Sequence, residues 1–159
     1  MKLETTVDPP LIGALMRRPV DAVYDRMLAD LHAAGFTDLT PAHFAVLRYP
    51  GPDGRRPSDL AAAVGMTRQA MNYLLGQLER SGYLIRDEDA DDRRSRRVRL
   101  TEPGRAVVRR IRATVTRIEV ELERELGREH FAQLRDRLTE LNASAFVRGS
   151  HGTPRSART

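Results

Sequence analysis

The chain of 159 residues contains no cysteine and no tryptophan, and Lys2 is its only lysine. Without cysteine, disulfide bonds, thiolate redox chemistry and cysteine-ligated zinc are excluded. A membrane-spanning helix needs about 20 consecutive apolar residues, and no run in the sequence approaches that length. The first ten residues, MKLETTVDPP, lack the apolar core of a signal peptide. We therefore expect a soluble cytoplasmic protein with no membrane partner.

Motifs typical of catalysis and of metal binding are missing as well. The sequence has no glycine-rich phosphate loop and no nucleophile elbow. The histidines are dispersed, without the close spacing of zinc ligands, and stand at positions 32, 43, 130 and 151. These absences predict a protein that is not an enzyme and that uses no metal and no cofactor.

Positive charge is concentrated in the middle of the chain. The formal net charge is +5, from 27 basic and 22 acidic residues. Between Arg55 and Arg112 there are 14 arginines and 8 acidic residues, whereas the remainder of the chain is nearly neutral. A basic block within a nearly neutral frame indicates a localised surface for a polyanion.

Long amphipathic helices are predicted at both ends of the chain. Apolar residues recur at three- and four-residue spacing over about 11–34 and over about 102–147. In the second region Thr101 is the expected cap of a long helix, and a last helix is predicted from about Arg128 to Val147. Pro19 predicts a break, a kink or a new first turn. One small core does not need so many helices, so they either pair with a second copy or form an intramolecular bundle.

The region 40–101 begins with the pattern of a helix-turn-helix. Thr40 followed by Pro41 predicts a helix start, and Ser58 can cap a short helix from Asp59 to Val64. Thr67 can cap the next helix. Its buried face is predicted to consist of Met71, Leu74, Leu75 and Leu78.

Two strand-like segments follow, at 83–86 and 98–100, around a loop that is first acidic and then basic. The predicted fold is mainly α (α+β): a winged helix-turn-helix core at about 40–101, flanked by long terminal dimerisation helices at about 11–34 and 102–147. Residues 1–10 are expected to form a flexible arm and residues 11–147 a single domain. The polar, basic residues 148–159 are expected to be a disordered tail.

The polar face of the helix after Thr67 suits the major groove of double-stranded DNA. Arginine can bond guanine O6 and N7, and glutamine or asparagine can bond adenine N6 and N7. A helix face that is merely solvated is the alternative. The candidate DNA-binding residues of the helix-turn-helix are Ser58, Thr67, Arg68, Gln69, Asn72 and Tyr73.

The hairpin loop carries arginines that suit the minor groove, whose negative potential is strongest where A·T tracts narrow it. The candidates are Arg93, Arg94, Arg96 and Arg97. The alternative is a soluble turn whose charges pair with one another. If Val98 and Leu100 face the core, strand alternation directs Arg97 and Arg99 outward.

These segments resemble the MarR family of winged helix-turn-helix regulators. The matching segments are LTPAHFAVL (39–47), PSDLAAAVGMTRQAMNYLLGQLERSGYLIR (57–86) and DADDRRSRRVRLTEPGR (89–105). The resemblance covers roughly residues 20–147 and implies a homodimer built through the terminal helices. It also implies that Asp92 and Arg94 shape the wing or contact DNA. At Asn72 and Tyr73 the chain departs from the commonest family pattern, so operator preference does not carry over.

The resemblance further implies a small phenolic or lipophilic acid as an effector that releases DNA. The tentative effector pocket lies at the junction of the first two helices and comprises His32, Phe36, His43, Phe44 and Leu47. The alternative for these residues is ordinary core packing, because apolar residues at helical spacing are usually buried.

Together these features predict a homodimeric, sequence-specific regulator of transcription, a repressor that binds an inverted-repeat operator. The competing interpretation is an architectural protein that binds DNA without sequence preference. Gln69 and Asn72 favour the first, because a binder of backbone phosphates alone would carry mostly lysine and arginine on this helix.

Overall fold

The computed structural model describes residues 10–51, 54–88 and 96–150, except for the side chains of residues 88 and 148–150. In chain order the elements are α1 (Ile12–Ala33), α2 (Pro41–Leu47), α3 (Pro57–Val64), α4 (Arg68–Arg80), β1 (Leu84–Glu88), β2 (Arg96–Leu100), α5 (Glu102–Leu126), α6 (Arg128–Asn142) and α7 (Ala145–Ser150). The two strands form an antiparallel sheet. This arrangement confirms the predicted winged-helix fold of mainly helical type.

Side-chain caps place the starts of α4 and α5 where the sequence predicts them. The Thr67 hydroxyl accepts a bond from the Ala70 amide at 3.1 Å, and the Thr101 hydroxyl accepts one from the Gly104 amide at 3.2 Å. Each bond satisfies an amide that has no partner within the first helical turn. Both predicted N-caps are therefore confirmed.

The predicted cap at Ser58 is wrong by two residues. Helix α3 begins at Pro57 with Arg56 as its N-cap, and the Ser58 hydroxyl donates to the Asp59 carboxylate at 3.3 Å instead. Proline favours the first helical position because its φ is already helical and its missing N–H needs no partner there. Pro57 therefore determines the helix start.

Helix α1 runs from Ile12 to Ala33 through Pro19, so of the predicted alternatives the break and the new first turn do not occur. Proline removes one intrahelical bond and leaves the carbonyl four residues earlier, that of Leu15, without its usual amide. Residues 11–22 are all exposed, so water can solvate that carbonyl. Exposure reduces the cost of the proline and allows the helix to continue.

The last predicted helix is divided in the structure. Helix α6 ends at Asn142, and the Ser144 hydroxyl donates to the Leu141 carbonyl at 2.6 Å before α7 begins. Serine competes with the helical ladder in this way. Helix α7 continues to Ser150, so the predicted disordered tail cannot begin at 148. The remainder of that tail, 151–159, and residues 1–9 of the predicted arm lie outside the described residues.

The hydrophobic core joins the helix-turn-helix to the sheet and to the first half of α5. Strand register places Leu84 opposite Leu100, and Arg86 opposite Val98. Val98 is completely buried and Leu100 half-buried, whereas Arg99 is exposed and Arg97 half-buried. The largest fully buried side chains include Leu31, Phe44, Leu47, Leu60, Met71, Leu75, Leu78 and Val107.

An ionic cluster fastens α1 to α5. The Asp30 carboxylate accepts bonds from Arg110 at 2.6 Å, from the Thr114 hydroxyl at 2.7 Å and from Arg117 at 3.0 Å. Bonds from Arg110 and Thr114 hold the pKa of Asp30 far below its usual value, and they outweigh the opposing effect of burial. The long C-terminal helix is therefore anchored to the N-terminal helix by charge-assisted hydrogen bonds as well as by apolar contact.

The start of α5 lies against the start of β1. A Cβ atom placed on Gly104 would lie 1.9 Å from the Tyr83 carbonyl oxygen, so only glycine fits this contact. The Tyr83 hydroxyl donates to the Asp38 carboxylate at 2.6 Å. Burial, together with that hydrogen bond, raises the pKa of Tyr83. This junction connects the hairpin rigidly to both α5 and the loop after α1.

Candidate nucleic-acid interface

Helix α4 presents a continuous polar surface on the side opposite its core contacts. Its inner face is buried through Met71, Leu74, Leu75 and Leu78. On the outer face Arg68, Gln69, Asn72 and Tyr73 are all exposed. They lie at i, i+1, i+4 and i+5, so they share one side of the helix. The structure thus brings together the four residues of α4 that the sequence analysis selected.

The other two helix-turn-helix candidates lie at helix starts. Ser58 is exposed in the first turn of α3, and Thr67 is the N-cap of α4. The turn between the helices depends on Gly65, whose φ of +71° falls in the left-handed region. The Thr67 hydroxyl oxygen already accepts a bond from the Ala70 amide, although its own proton can still be donated.

The wing is described only in part. Arg96 is exposed at the start of β2, and Arg97 beside it is half-buried. In the sheet register Arg96 lies opposite Glu88 and Arg97 opposite Asp87. Three further wing candidates, Asp92, Arg93 and Arg94, lie outside the described residues.

An ion pair ties the hairpin to the end of α4. Nε of Arg86, on β1, lies 3.1 Å from Oε2 of Glu79, and the Arg86 side chain is largely buried. This pair links the hairpin to the helix that carries the polar surface. The sequence analysis assigned neither residue a role, because their proximity arises only when β1 folds back along α4.

A second group missed in the sequence lies behind Tyr73. Gln77 donates from Nε2 to the Tyr73 hydroxyl at 3.2 Å, and its Oε1 lies 3.1 Å from Nε2 of His43. Helical spacing of four residues pairs Gln77 with Tyr73 and could have indicated this contact. The bond to His43 spans 34 positions in the sequence, so local spacing carries no signal of it.

The predicted effector residues are not gathered around one cavity. His32 is exposed and donates to the Leu39 carbonyl at 3.2 Å, whereas Phe36 is half-buried with its ring 6.1 Å from that of Tyr83. His43 bonds Thr40 and Gln77, and Phe44 is completely buried. Of the five, Leu47 alone lines the two cavities found beside α5, and the other four lie in the core or at its edge.

Two neighbouring cavities lie beside α5 and share Leu47, Arg48, Val108 and Arg112. One, of about 670 Å³, is bounded by the end of α2, the two strands and the start of α5. The other, of about 530 Å³, is bounded by α1, α2 and α5. Both combine apolar walls with the two guanidinium groups, which is the composition that an organic anion requires.

Neither metal coordination nor membrane insertion finds support in the described part of the chain. Among those residues no group of three or more histidine, aspartate or glutamate side chains is placed to hold a metal ion. No helix within the same ranges is long and apolar enough to cross a bilayer.

Comparison with known proteins places the interface in context. The sequence model of the MarR family matches residues 37–95. The transcriptional repressor CouR, bound to a 23-mer DNA duplex, is 32% identical, with a TM-score of 0.66 over 82% of this chain and 92% of that chain. The S. aureus MepR–DNA complex is 25% identical, with a TM-score of 0.70 over 85% of this chain and 98% of that chain.

A third similar structure contains a small ligand. The Mycobacterium tuberculosis MarR family protein Rv2887, in complex with salicylic acid, is 28% identical to this chain. Its TM-score is 0.62, and the match covers 84% of this chain and 98% of that chain. All three similar proteins span almost their full length in the comparison.

Proposed function

The chain belongs to the MarR family of DNA-binding transcriptional regulators, and from this premise we propose that it is a homodimeric repressor of an inverted-repeat operator. The observation that carries the proposal is the exposed row of Arg68, Gln69 and Asn72 on a helix whose other face is anchored in the core. Because the inner face of α4 is packed in the core, the positions of its outer side chains are fixed, and fixed side chains can bind base edges selectively.

Helix α4 enters the major groove in this proposal. Arg68, in the first turn, bonds a guanine edge, and Gln69 and Asn72 bond adenines. Ser58, Thr67 and Tyr73 contact the sugar–phosphate backbone and fix the register of the protein on the duplex. The similar proteins CouR and MepR are bound to DNA in their solved structures, which supports DNA as the ligand of this chain.

The wing reaches the adjacent minor groove. Arg96 and Arg97 are the first two residues of β2. Arg93 and Arg94 belong to the same basic run just before them in the sequence. Asp92 is proposed to hold the wing in shape. Arginine is favoured in a narrow minor groove because it lowers the energy of the strongly negative potential there.

A second copy of the chain covers the apolar surfaces of the terminal helices. Leu11, at the N-cap of α1, and Ile12, Leu15 and Val20 within it are exposed. Leu134 and Leu138 are exposed on α6, which has no buried residue. Large apolar side chains that are exposed together on helices are typical of interaction surfaces. A homodimer buries these side chains and places two copies of α4 about one helical turn of DNA apart.

A small organic anion is the proposed effector. The two cavities beside α5 hold Arg48 and Arg112 against the apolar side chains of Leu47 and Val108. An aromatic carboxylate satisfies both features, and the related protein Rv2887 binds salicylic acid. The cavity pair shares Leu47 with the pocket predicted from the sequence.

The proposal is tested by selecting binding sites from a random-sequence duplex library with the full chain. The selected duplex is then compared with a scrambled duplex by fluorescence anisotropy. We expect an inverted repeat and a preference of about 10³-fold or more for the selected duplex. If about 6–10 phosphates are contacted, affinity falls about 10³- to 10⁵-fold between about 50 and 200 mM salt.

Equal binding to both duplexes, with the same steep dependence on salt, would overturn the sequence-specific repressor in favour of an architectural DNA-binding protein.

Addition of salicylate to the selected complex tests the effector. Release from wild type but not from an Arg112→Ala variant is the expected result. Release from both equally would remove the cavity pair from the mechanism.

A further inference from the structure

A chain of hydrogen bonds runs from the buried side of α2 to the exposed face of α4. The Thr40 amide donates to Nδ1 of His43 at 3.1 Å, Nε2 of His43 is 3.1 Å from Oε1 of Gln77, and Nε2 of Gln77 donates to the Tyr73 hydroxyl at 3.2 Å. His43 is only 5% exposed and Tyr73 is 66% exposed. The chain therefore begins in the core and ends in solvent.

The direction of each bond is fixed by its neighbours. Because a backbone amide can only donate, Nδ1 of His43 must accept, and the ring proton lies on Nε2. That proton is donated to the Gln77 carbonyl oxygen, which leaves the Gln77 amino group to donate to Tyr73. The Tyr73 oxygen is thus an acceptor of the Gln77 bond, which leaves its own proton available for donation to a ligand.

We propose that His43 and Gln77 are positioning residues that hold Tyr73 as a hydrogen-bond donor to a DNA phosphate. The inference rests on the proposed function, because it requires α4 to lie on DNA. An exposed tyrosine samples several rotamers, and a ligand contact must offset the cost of ordering it. The bond from Gln77 restricts the phenol before binding, and the bond from His43 restricts Gln77 in turn.

The source of the rigidity is the capping arrangement of α2. Helix α2 begins at Pro41 with Thr40 as its N-cap, and His43 closes this first turn through the Thr40 amide. The histidine ring is therefore locked at both nitrogens. Because the buried ring is held at both nitrogens, it restricts the conformations of Gln77 more than an exposed side chain would.

The inference is tested by a double-mutant cycle on the duplex selected from the random library. Gln77→Met removes both hydrogen bonds of the middle residue while it keeps helix propensity and length. We expect Gln77→Met and Tyr73→Phe each to weaken binding about three- to tenfold, the usual effect of one lost hydrogen bond. The double variant should bind no more weakly than the weaker single variant.

Two matched variants control for general effects. Gln133→Met removes a comparable amide from α6, where it bonds Glu129, and Tyr49→Phe removes a phenol hydroxyl outside the hydrogen-bond chain. Both should bind DNA like wild type. Losses from Gln77→Met and Tyr73→Phe that add in the double variant would overturn the inference, because independent contacts are additive and a shared one is not.

A measurement on the free protein tests the same chain of bonds without DNA. Long-range ¹H–¹⁵N spectra at about pH 8, where an ordinary imidazole is neutral, should show His43 with its proton on Nε2. A proton on Nδ1 would overturn the inference even if DNA binds. If wild type binds no duplex at all, the proposed function fails together with the role of Tyr73. Binding with additive losses refutes the positioning role alone.

Discussion

At the scale of single residues, substitutions on the outer face of α4 test whether the proposed contacts read bases or bind the DNA backbone. Arg68 and Asn72 are exposed and one helical turn apart, and neither is needed for the core. We expect Arg68→Ala or Asn72→Ala to weaken binding to the selected duplex by about 1–3 kcal/mol and to relax preference at one base step. Anisotropy with single-base variants of the duplex measures both effects.

The control for these variants is Arg128→Ala. Arg128 is exposed, pairs with Glu123 and lies at the start of α6, far along the chain from α4. It should leave both affinity and preference unchanged. Equal losses on the selected and the scrambled duplex for Arg68→Ala and Asn72→Ala would assign these residues to phosphates and refute base reading.

Asp30 provides a residue-scale test of stability. Asp30→Asn removes the negative charge that pairs with Arg110 and Arg117 and replaces one acceptor oxygen with an amide donor. We expect it to lower the free energy of unfolding by about 1 kcal/mol, because both arginines are partly exposed. The pKa of the folded state lies below the ordinary value of 3.8. The stabilisation is therefore complete above that value and is lost as the pH falls through the pKa of the folded state.

Urea unfolding at several pH values measures this dependence. The difference between wild type and Asp30→Asn should be constant from about pH 7 to pH 5 and should shrink by about pH 3. Asp21→Asn is the matched control, since Asp21 pairs with Arg17 on an exposed face at 3.4 Å. A difference that does not change with pH, or one no larger than that of Asp21→Asn, would contradict the role of Asp30.

At the scale of secondary-structure elements, the junction of β1 and α5 determines where the hairpin lies. Gly104→Ala would place a methyl group against the Tyr83 carbonyl, so the backbone must move. We expect a loss of about 3 kcal/mol or more in the free energy of unfolding. Gly13→Ala is the matched control, because nothing lies within 4 Å of its Cβ position, and it should stabilise α1 slightly. Thermal unfolding measures both variants. Similar changes in the free energy of unfolding for Gly104→Ala and Gly13→Ala would contradict the role of the contact between Gly104 and Tyr83.

Local sequence signals predicted the elements well and their connections poorly. The caps at Thr67 and Thr101 and the buried face of α4 depend on residues within one or two helical turns, so spacing alone predicts them. The start of α3 and the division after Asn142 were missed because a proline and a serine compete with the periodic pattern.

The candidate site likewise has a part that local spacing predicts and a part that depends on contacts between distant segments. The exposed residues of α4 follow from helical periodicity, and the structure places them on one face. Of the predicted effector residues, His43 bonds Gln77 across α2 and α4, a contact that helical spacing does not indicate. Contacts between distant segments are set by tertiary packing, and a single sequence does not encode them in its local pattern.

At the scale of the whole molecule, the proposed homodimer depends on the exposed apolar side chains of the terminal helices. Leu15 on α1 and Leu138 on α6 are 52% and 43% exposed, and α6 buries no side chain. We expect wild type to sediment as a dimer and Leu15→Asp or Leu138→Asp to shift it toward monomer, because a buried carboxylate in an apolar interface is costly. Ile85→Asp, at a site 45% exposed on β1, is the control and should remain dimeric.

Loss of the dimer should also change DNA binding. A dimer places two α4 helices on one duplex, so the second contact is intramolecular and strengthens the first. The monomeric variants should therefore bind the selected inverted repeat and a single half-site with nearly equal affinity, whereas wild type prefers the repeat. Sedimentation and anisotropy on the same samples measure the two effects together. If wild type is a monomer, or if both variants remain dimers with full preference, the terminal helices do not form the interface.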